Sequence, residues 1–89
     1  MSITASHILV PTKERALELH KQITEGASFE TLASINSNCP SRANGGNLGP
    51  FDRGQMVPTF EQAAFGLEIG ALSEPVETQF GWHLVKRTA

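Results

Sequence analysis

Cysteine, excess charge and long apolar runs are scarce in this sequence, and each shortage excludes a class of protein. Its one cysteine, Cys39, cannot form an internal disulfide, so the 89 residues must fold without one, and a reducing compartment is the simpler interpretation. No segment approaches about 18 consecutive apolar residues. The N-terminus lacks a basic stretch followed by an apolar one. These features predict a soluble, cytoplasmic protein with no membrane partner.

Basic charge and ligand-binding motifs are also missing. The formal net charge is −2, from 7 basic and 9 acidic residues, and the longest basic run is the pair Lys86-Arg87. Because nucleic-acid binding needs a basic patch against the phosphates, we expect no nucleic-acid partner. Neither the GxxxxGKS/T nor the GxGxxG pattern occurs, and no CxxC, HxxxH or HExxH spacing is present. We therefore expect no cofactor and no metal.

The residue patterns predict one domain over residues 1–89, with no repeat, linker or low-complexity segment. Alternation and helical spacing of apolar residues predict, in chain order, a strand at 3–10, helices at 13–25 and 29–35, a strand at 48–51, a helix from 58, and strands at 74–77 and 82–87. Residues 36–49 are rich in Asn, Ser, Pro and Gly, which predicts turns. Leu17 is placed on the apolar face of the first helix, and Thr59 and Gln62 are expected to form a capping box.

Three separated blocks carry a family resemblance. They read SHILV from Ser6, GGNLGPFDRGQMVPTFEQAAFGL from Gly45, and ETQFGWHLVKR from Glu77. In this order and spacing they resemble the signature blocks of the parvulins, a family of peptidyl-prolyl cis/trans isomerases, and the match runs from Ser6 to Arg87. The resemblance implies an α+β, parvulin/FKBP-like fold, with a four-stranded, mainly antiparallel sheet surrounded by three to four helices.

The resemblance also implies a set of site residues. It assigns a proline pocket to Leu48, Met56, Phe60 and Phe80, and a catalytic centre to His7, Cys39 and His83. By themselves, Met56 and Phe60 could be ordinary core residues, and each histidine could be a hydrogen-bonded core residue. By resemblance the paired histidines orient the site, and Cys39 faces the rotating bond. Because some parvulins carry aspartate there, an electrostatic role for Cys39 is favoured over a nucleophilic one.

The chemistry of such a site is simple. Rotation about a peptide bond crosses a barrier of about 18–20 kcal/mol, and an Xaa-Pro bond takes about 10–100 s to isomerise unaided. Since no covalent bond breaks, an apolar pocket that favours the twisted amide is sufficient. We therefore predict a monomeric prolyl isomerase that acts on proline-containing peptides and on unfolded or partly folded proteins. The alternative is a non-catalytic module that binds proline-containing segments, or a holdase.

Two finer expectations concern substrates and Phe60. Phosphate-selective parvulins carry a long basic loop after the first strand. Here the segment PTKER offers only Lys13 and Arg15, so we expect no phosphate selectivity and an apolar residue before proline. Phe60 is expected to be shared between pocket and core, so that Phe60→Ala costs about 1–3 kcal/mol of stability, less than a fully buried phenylalanine. His20 lies outside the three blocks and receives no role.

Overall fold

A computed structural model describes residues 2–89. Its elements are β1 (Ile3–Val10), α1 (Lys13–Thr24), α2 (Phe29–Asn36), a short 3-10 helix (Pro40–Asn44), β2 (Asn47–Phe51), α3 (Pro58–Phe65), β3 (Val76–Thr78) and β4 (Gly81–Arg87). Within residues 2–89 the strands form a four-stranded antiparallel sheet in the order β2-β1-β4-β3. The predicted α+β fold and its order of strands and helices are confirmed.

β1 lies in the centre of the sheet, and both of its faces are covered by helices. Ile8 and Val10 pack in one core cluster with residues of α1 and α2. Ile3 and Ala5, on the opposite face, pack in a second cluster with residues of α3. Such two-sided burial is the physical reason why both alternating sets are apolar at the end of this strand, from Ile8 to Val10. His7 shares the face that looks towards α3.

The helix ends follow local capping chemistry, with one correction. Thr12 accepts a hydrogen bond from the Arg15 N–H at 3.2 Å and so caps α1, and Ser28 caps α2 through the Thr31 N–H at 3.2 Å. The predicted capping box at Thr59 and Gln62 is wrong. In the described chain α3 begins after Val57 without a side-chain cap. Pro58 occupies the first turn instead, where its missing N–H leaves no unpaired donor.

Three other details differ from the predicted pattern. Part of the predicted turn region forms the 3-10 helix, with Pro40 in its first turn. β3 runs over 76–78, because residues before Pro75 pair with β4 separately, through Leu72 and Ser73. Leu17 is 46% exposed, and Leu19 takes the buried position on α1 instead.

Among residues 2–89 no helix is long and apolar enough to cross a membrane.

Candidate active site

An open cavity of about 520 Å³ lies where β1, the 38–40 segment, the start of α3 and the β3–β4 turn meet. The residues singled out in the sequence all line it, namely His7, Cys39, Leu48, Met56, Phe60, Phe80 and His83. The lining also contains five residues that the sequence did not single out, Leu9, Asn38, Pro40, Gln55 and Val57. Gln55 and Val57 flank Met56 within the second block, so their position in the sequence was a usable signal.

The two histidines are in direct contact on the central strands. His7 Nδ1 and His83 Nδ1 are 2.9 Å apart, and the two rings stack with centroids 5.1 Å apart and planes at 18°. In the β1–β4 register, His83 lies opposite Leu9, so the two histidines are diagonal neighbours on one face of the sheet. Cross-strand diagonal pairs of long side chains can touch in this way.

Both histidines are held neutral by their surroundings. Burial, together with the nearby His83, lowers the pKa of His7 from 6.5 to about 4. Burial also lowers the pKa of His83. A short contact between two Nδ1 atoms of neutral rings requires one of them to donate and the other to accept. The pair is therefore a neutral hydrogen-bonded unit near pH 7.

Thr78 extends this unit to the β3–β4 turn and indicates which ring donates. Its Oγ1 lies 2.7 Å from His83 Nε2 and accepts a hydrogen bond from the Phe80 N–H at 3.2 Å. His7 Nε2, by contrast, is buried without a hydrogen-bond partner among residues 2–89. An unpaired buried N–H is rarer than an unpaired acceptor. We therefore expect His7 Nδ1–H to donate to His83, whose Nε2–H then donates to Thr78.

Phe60 lies beside both histidines in the cavity lining. Its ring makes T-shaped contacts with both imidazoles, with centroids 5.5 Å from His7 and 5.3 Å from His83. Phe60 is only 3% exposed, which corrects the expectation that its burial is partial. The reason is that one face of its ring packs in the α3 core cluster. Phe80 is the opposite case, since it is 63% exposed at the rim of the cavity.

Cys39 reaches the cavity from a segment that is fixed to β1. The Asn38 N–H donates to the Leu9 carbonyl at 2.8 Å, and the Cys39 N–H donates to Ser37 Oγ at 3.3 Å. The thiol is partly exposed and free. His20 lies elsewhere, 3.8 Å from Glu74. Among residues 2–89 no three His, Cys, Asp or Glu side chains cluster as a metal site requires.

Comparison with known families identifies this arrangement. Residues 7–89 match the rotamase family, described as the PPIC-type PPIase domain. The chain belongs to this family. The resemblance to parvulins is thus confirmed, and the chain is a peptidyl-prolyl isomerase domain. The foldase protein PrsA of Bacillus subtilis is 48% identical to this domain over 87 residues, which are 97% of this chain and 30% of the foldase.

The solved structures similar to this chain include both longer proteins and small parvulins. The crystal structure of PrsA from Bacillus anthracis superimposes with a TM-score of 0.98 at 46% identity, covering 99% of this chain and 41% of that chain. NmPin, the parvulin of Nitrosopumilus maritimus, gives a TM-score of 0.89 at 42% identity, covering 99% of this chain and 96% of its own. The same fold therefore accounts for nearly all of a small parvulin and for one part of the foldases.

Proposed function

We propose that this PPIC-type domain accelerates cis/trans rotation of Xaa-Pro bonds in unfolded or partly folded polypeptides, and so assists protein folding. The observation that carries the proposal is the convergence of seven side chains, including the neutral histidine pair, on one apolar cavity. A cytoplasmic location and a monomeric state rest on the sequence alone and stay predictions.

The cavity can favour the twisted amide by holding the proline ring and removing water. Leu48, Met56 and the Phe60 ring offer the apolar contacts for the ring. The planar amide carries more negative charge on its carbonyl oxygen than the twisted amide does, because resonance is lost on twisting. Loss of water around that oxygen therefore penalises the planar form more. A preference of about 5–7 kcal/mol for the twisted form would give about 10⁴–10⁵-fold acceleration.

In this mechanism the histidines position the wall of the pocket, and Cys39 faces the rotating bond. Isomerisation involves no net proton transfer, so a base is not required. The histidine pair instead supports Phe60 through T-shaped ring contacts and connects through Thr78 to the backbone of Phe80. One network thus joins the buried wall of the cavity to its exposed rim. Cys39 presents a polarisable edge on the other side.

The charges near the first helix support a preference that does not include phosphate. Arg15 is engaged by the Asn36 Oδ1 at 2.6 Å and by Glu18. The Lys13 ammonium lies 5.6 Å from the centre of the Trp82 ring. Both cations are outside the cavity lining, and the lining side chains in the described chain are uncharged when the two histidines are neutral. An apolar residue before proline fits this surface, whereas a phosphorylated or acidic residue would find no cation among the lining residues that the structure describes.

Exchange spectroscopy on an Ala-Pro peptide tests the proposal. We expect substoichiometric protein to increase the rate of cis/trans interconversion, with the equilibrium ratio unchanged. A variant of exposed Ile69 outside the cavity, Ile69→Ala, serves as the control and should behave like the parent protein. Saturable peptide binding without faster interconversion would instead favour the non-catalytic binding module or holdase.

A further inference from the structure

Ser37 connects the segment that carries Cys39 to the strand that carries His7. This serine is fully buried and ends α2, where its N–H donates to the Ala33 carbonyl at 3.0 Å. Its hydroxyl oxygen accepts two backbone hydrogen bonds, from the Leu9 N–H at 3.0 Å and from the Cys39 N–H at 3.3 Å. One buried atom thus fixes both sides of the cavity relative to each other.

The Ser37 hydroxyl pairs with the backbone of β1 beyond the point where β2 stops pairing with it. Within residues 2–89, the pairing of β1 with β2 ends at Ser6. Further along β1, the Leu9 N–H would be an unpaired donor, and buried N–H groups need an acceptor. Ser37 supplies that acceptor, while the Asn38 N–H pairs with the Leu9 carbonyl at 2.8 Å. Leu9 lies opposite His83 in the sheet register, so this contact adjoins the histidine pair.

We propose that Ser37 is a positioning residue of the isomerase site, whose hydroxyl sets the distance between Cys39 and the His7–His83 pair. Ser37 is not part of the cavity lining, so it acts through Leu9 and Cys39 rather than through the substrate. The proposal rests on the isomerase function proposed above. Without the hydroxyl, two backbone donors lose their acceptor, and the Cys39 segment is held less firmly, although the Asn38–Leu9 hydrogen bond still joins it to β1.

Ser73 provides a matched control, because it hydrogen-bonds to the backbone of β4 as Ser37 does to that of β1. It is nearly as buried as Ser37, and its hydroxyl oxygen likewise accepts a backbone hydrogen bond, from the Val85 N–H at 3.0 Å. Its own N–H pairs with the Val85 carbonyl at 2.8 Å. Ser73 lies outside the cavity lining. Ser73→Ala therefore removes a comparable buried acceptor without touching the Cys39 segment.

The experiment compares Ser37→Ala, Ser37→Thr and Ser73→Ala by isomerase kinetics, alkylation of Cys39 with iodoacetamide, and denaturant unfolding. We expect Ser37→Ala to lower kcat/KM by about tenfold, mainly through kcat, because small displacements of site groups are costly. Its Cys39 alkylation rate should change as well. Ser37→Thr keeps the oxygen and should recover part of both properties. Ser73→Ala should also lose stability but match the parent protein in kinetics and alkylation.

A folded Ser37→Ala protein with parental kcat/KM and parental Cys39 alkylation would overturn the proposal. If Ser37→Ala does not fold, amide hydrogen exchange of the parent protein decides instead. The Leu9 and Cys39 amides should be protected together because they share one acceptor, and a Cys39 amide that exchanges like an open loop would overturn the assignment. If the parent protein lacks isomerase activity, the proposed function fails, while alkylation and exchange still test the positioning role.

Discussion

At the scale of single residues, Phe60 belongs to the cavity and to the core at once. Its ring contacts both histidines, lines the cavity and packs with residues of the α3 cluster. A substitution there changes stability and substrate binding together, so a useful test has to separate the two effects. Phe51 offers the comparison, because it is 4% exposed in the same cluster but lies outside the cavity lining.

Phe60→Leu should lower kcat/KM strongly in a folded protein, whereas Phe51→Leu should not. Both changes remove buried aromatic contacts, so both should reduce the free energy of unfolding by similar amounts. Phe60→Ala should cost about 3–5 kcal/mol, as for a buried phenylalanine, rather than the smaller loss expected from the sequence. Denaturant unfolding and isomerase kinetics measure these quantities. Equal kinetic effects of the two leucine variants would show that the proline ring does not contact Phe60.

Cys39 distinguishes electrostatic from covalent chemistry. Cys39→Asp should retain measurable activity because a carboxylate also disfavours the planar carbonyl arrangement, and Cys39→Ala should lose more. A nucleophile would behave differently, since carboxylate cannot replace thiolate in the same attack and both variants would be inactive. Intact mass spectrometry of the parent protein with substrate should reveal no adduct and no cleaved peptide. An adduct on Cys39 would restore the covalent alternative.

The buried His7 predicts a specific dependence of stability on pH. Its pKa is lowered from 6.5 to about 4, chiefly by burial, so between these values the unfolded chain binds more protons than the folded one. Stability is therefore full above pH 6.5 and is lost as the pH falls towards 4, by up to about 3 kcal/mol. His7→Gln removes this titration and serves as the control. Parallel stability curves for the two proteins between pH 7 and pH 4 would contradict the prediction.

At the scale of elements, the position of His7 depends on how closely β1 and the loop before β2 approach. The His7 N–H donates to the Gly46 carbonyl at 2.9 Å. A Cβ atom at Gly46 would lie 2.4 Å from the His7 carbonyl oxygen, and Gly46 has a φ of +87°. The glycine is required here both by its backbone conformation and by the lack of space.

Gly46→Ala should therefore destabilise the protein more than a glycine replacement that meets only conformational strain. Gly26 is the matched position, because its φ is +110° and a Cβ there meets nothing within 4 Å in the described chain. We expect Gly26→Ala to cost about 1–3 kcal/mol from strain alone and to leave kcat/KM unchanged. Gly46→Ala should cost more and reduce kcat/KM, because the His7 backbone must move. Equal thermal stability of the two variants would refute this account.

At the scale of the whole molecule, one face of the sheet builds an apolar core and the other face carries the candidate site. One face supports α1 and α2 over a closed apolar cluster. The other face, towards α3, carries the second cluster together with the histidine pair and Phe60. The charged residues Lys13 and Arg15 lie at the start of α1 and are occupied by Trp82, Glu18 and Asn36. The site thus presents an apolar surface without a cationic clamp.

A series of peptides tests whether the site prefers an apolar residue before proline. Peptides that differ only in the residue before proline should be turned over fastest with leucine, and phosphoserine or glutamate should give no advantage over alanine. Lys13→Ala and Arg15→Ala should leave the ratios between peptides unchanged, because neither cation lines the cavity. Isomerase kinetics on the series measure the ratios. A phosphoserine-proline preference that disappears in Arg15→Ala would show that this arginine is released to bind phosphate.

The order of the elements and much of the site could be predicted from the sequence. Apolar periodicity is a local property, so it located the strands and helices to within a few residues. The resemblance to parvulins, through the three blocks and the Cys39 position, singled out seven of the side chains that line the cavity. The capping box predicted at Thr59 and Gln62 is absent because helix α3 begins earlier, with Pro58 in its first turn.

Which groups support the site depends on the tertiary fold. Ser37 and Thr78 look like ordinary polar residues in a turn region and at a strand end, and their partners lie 28 and 5 residues away. Which backbone donors lack a partner depends on where the pairing of β1 with β2 stops, and which rings are buried depends on how α3 packs on the sheet. Both are set by contacts between distant segments. Local composition cannot encode them, because the same residues satisfy their hydrogen bonds with water until the fold excludes it.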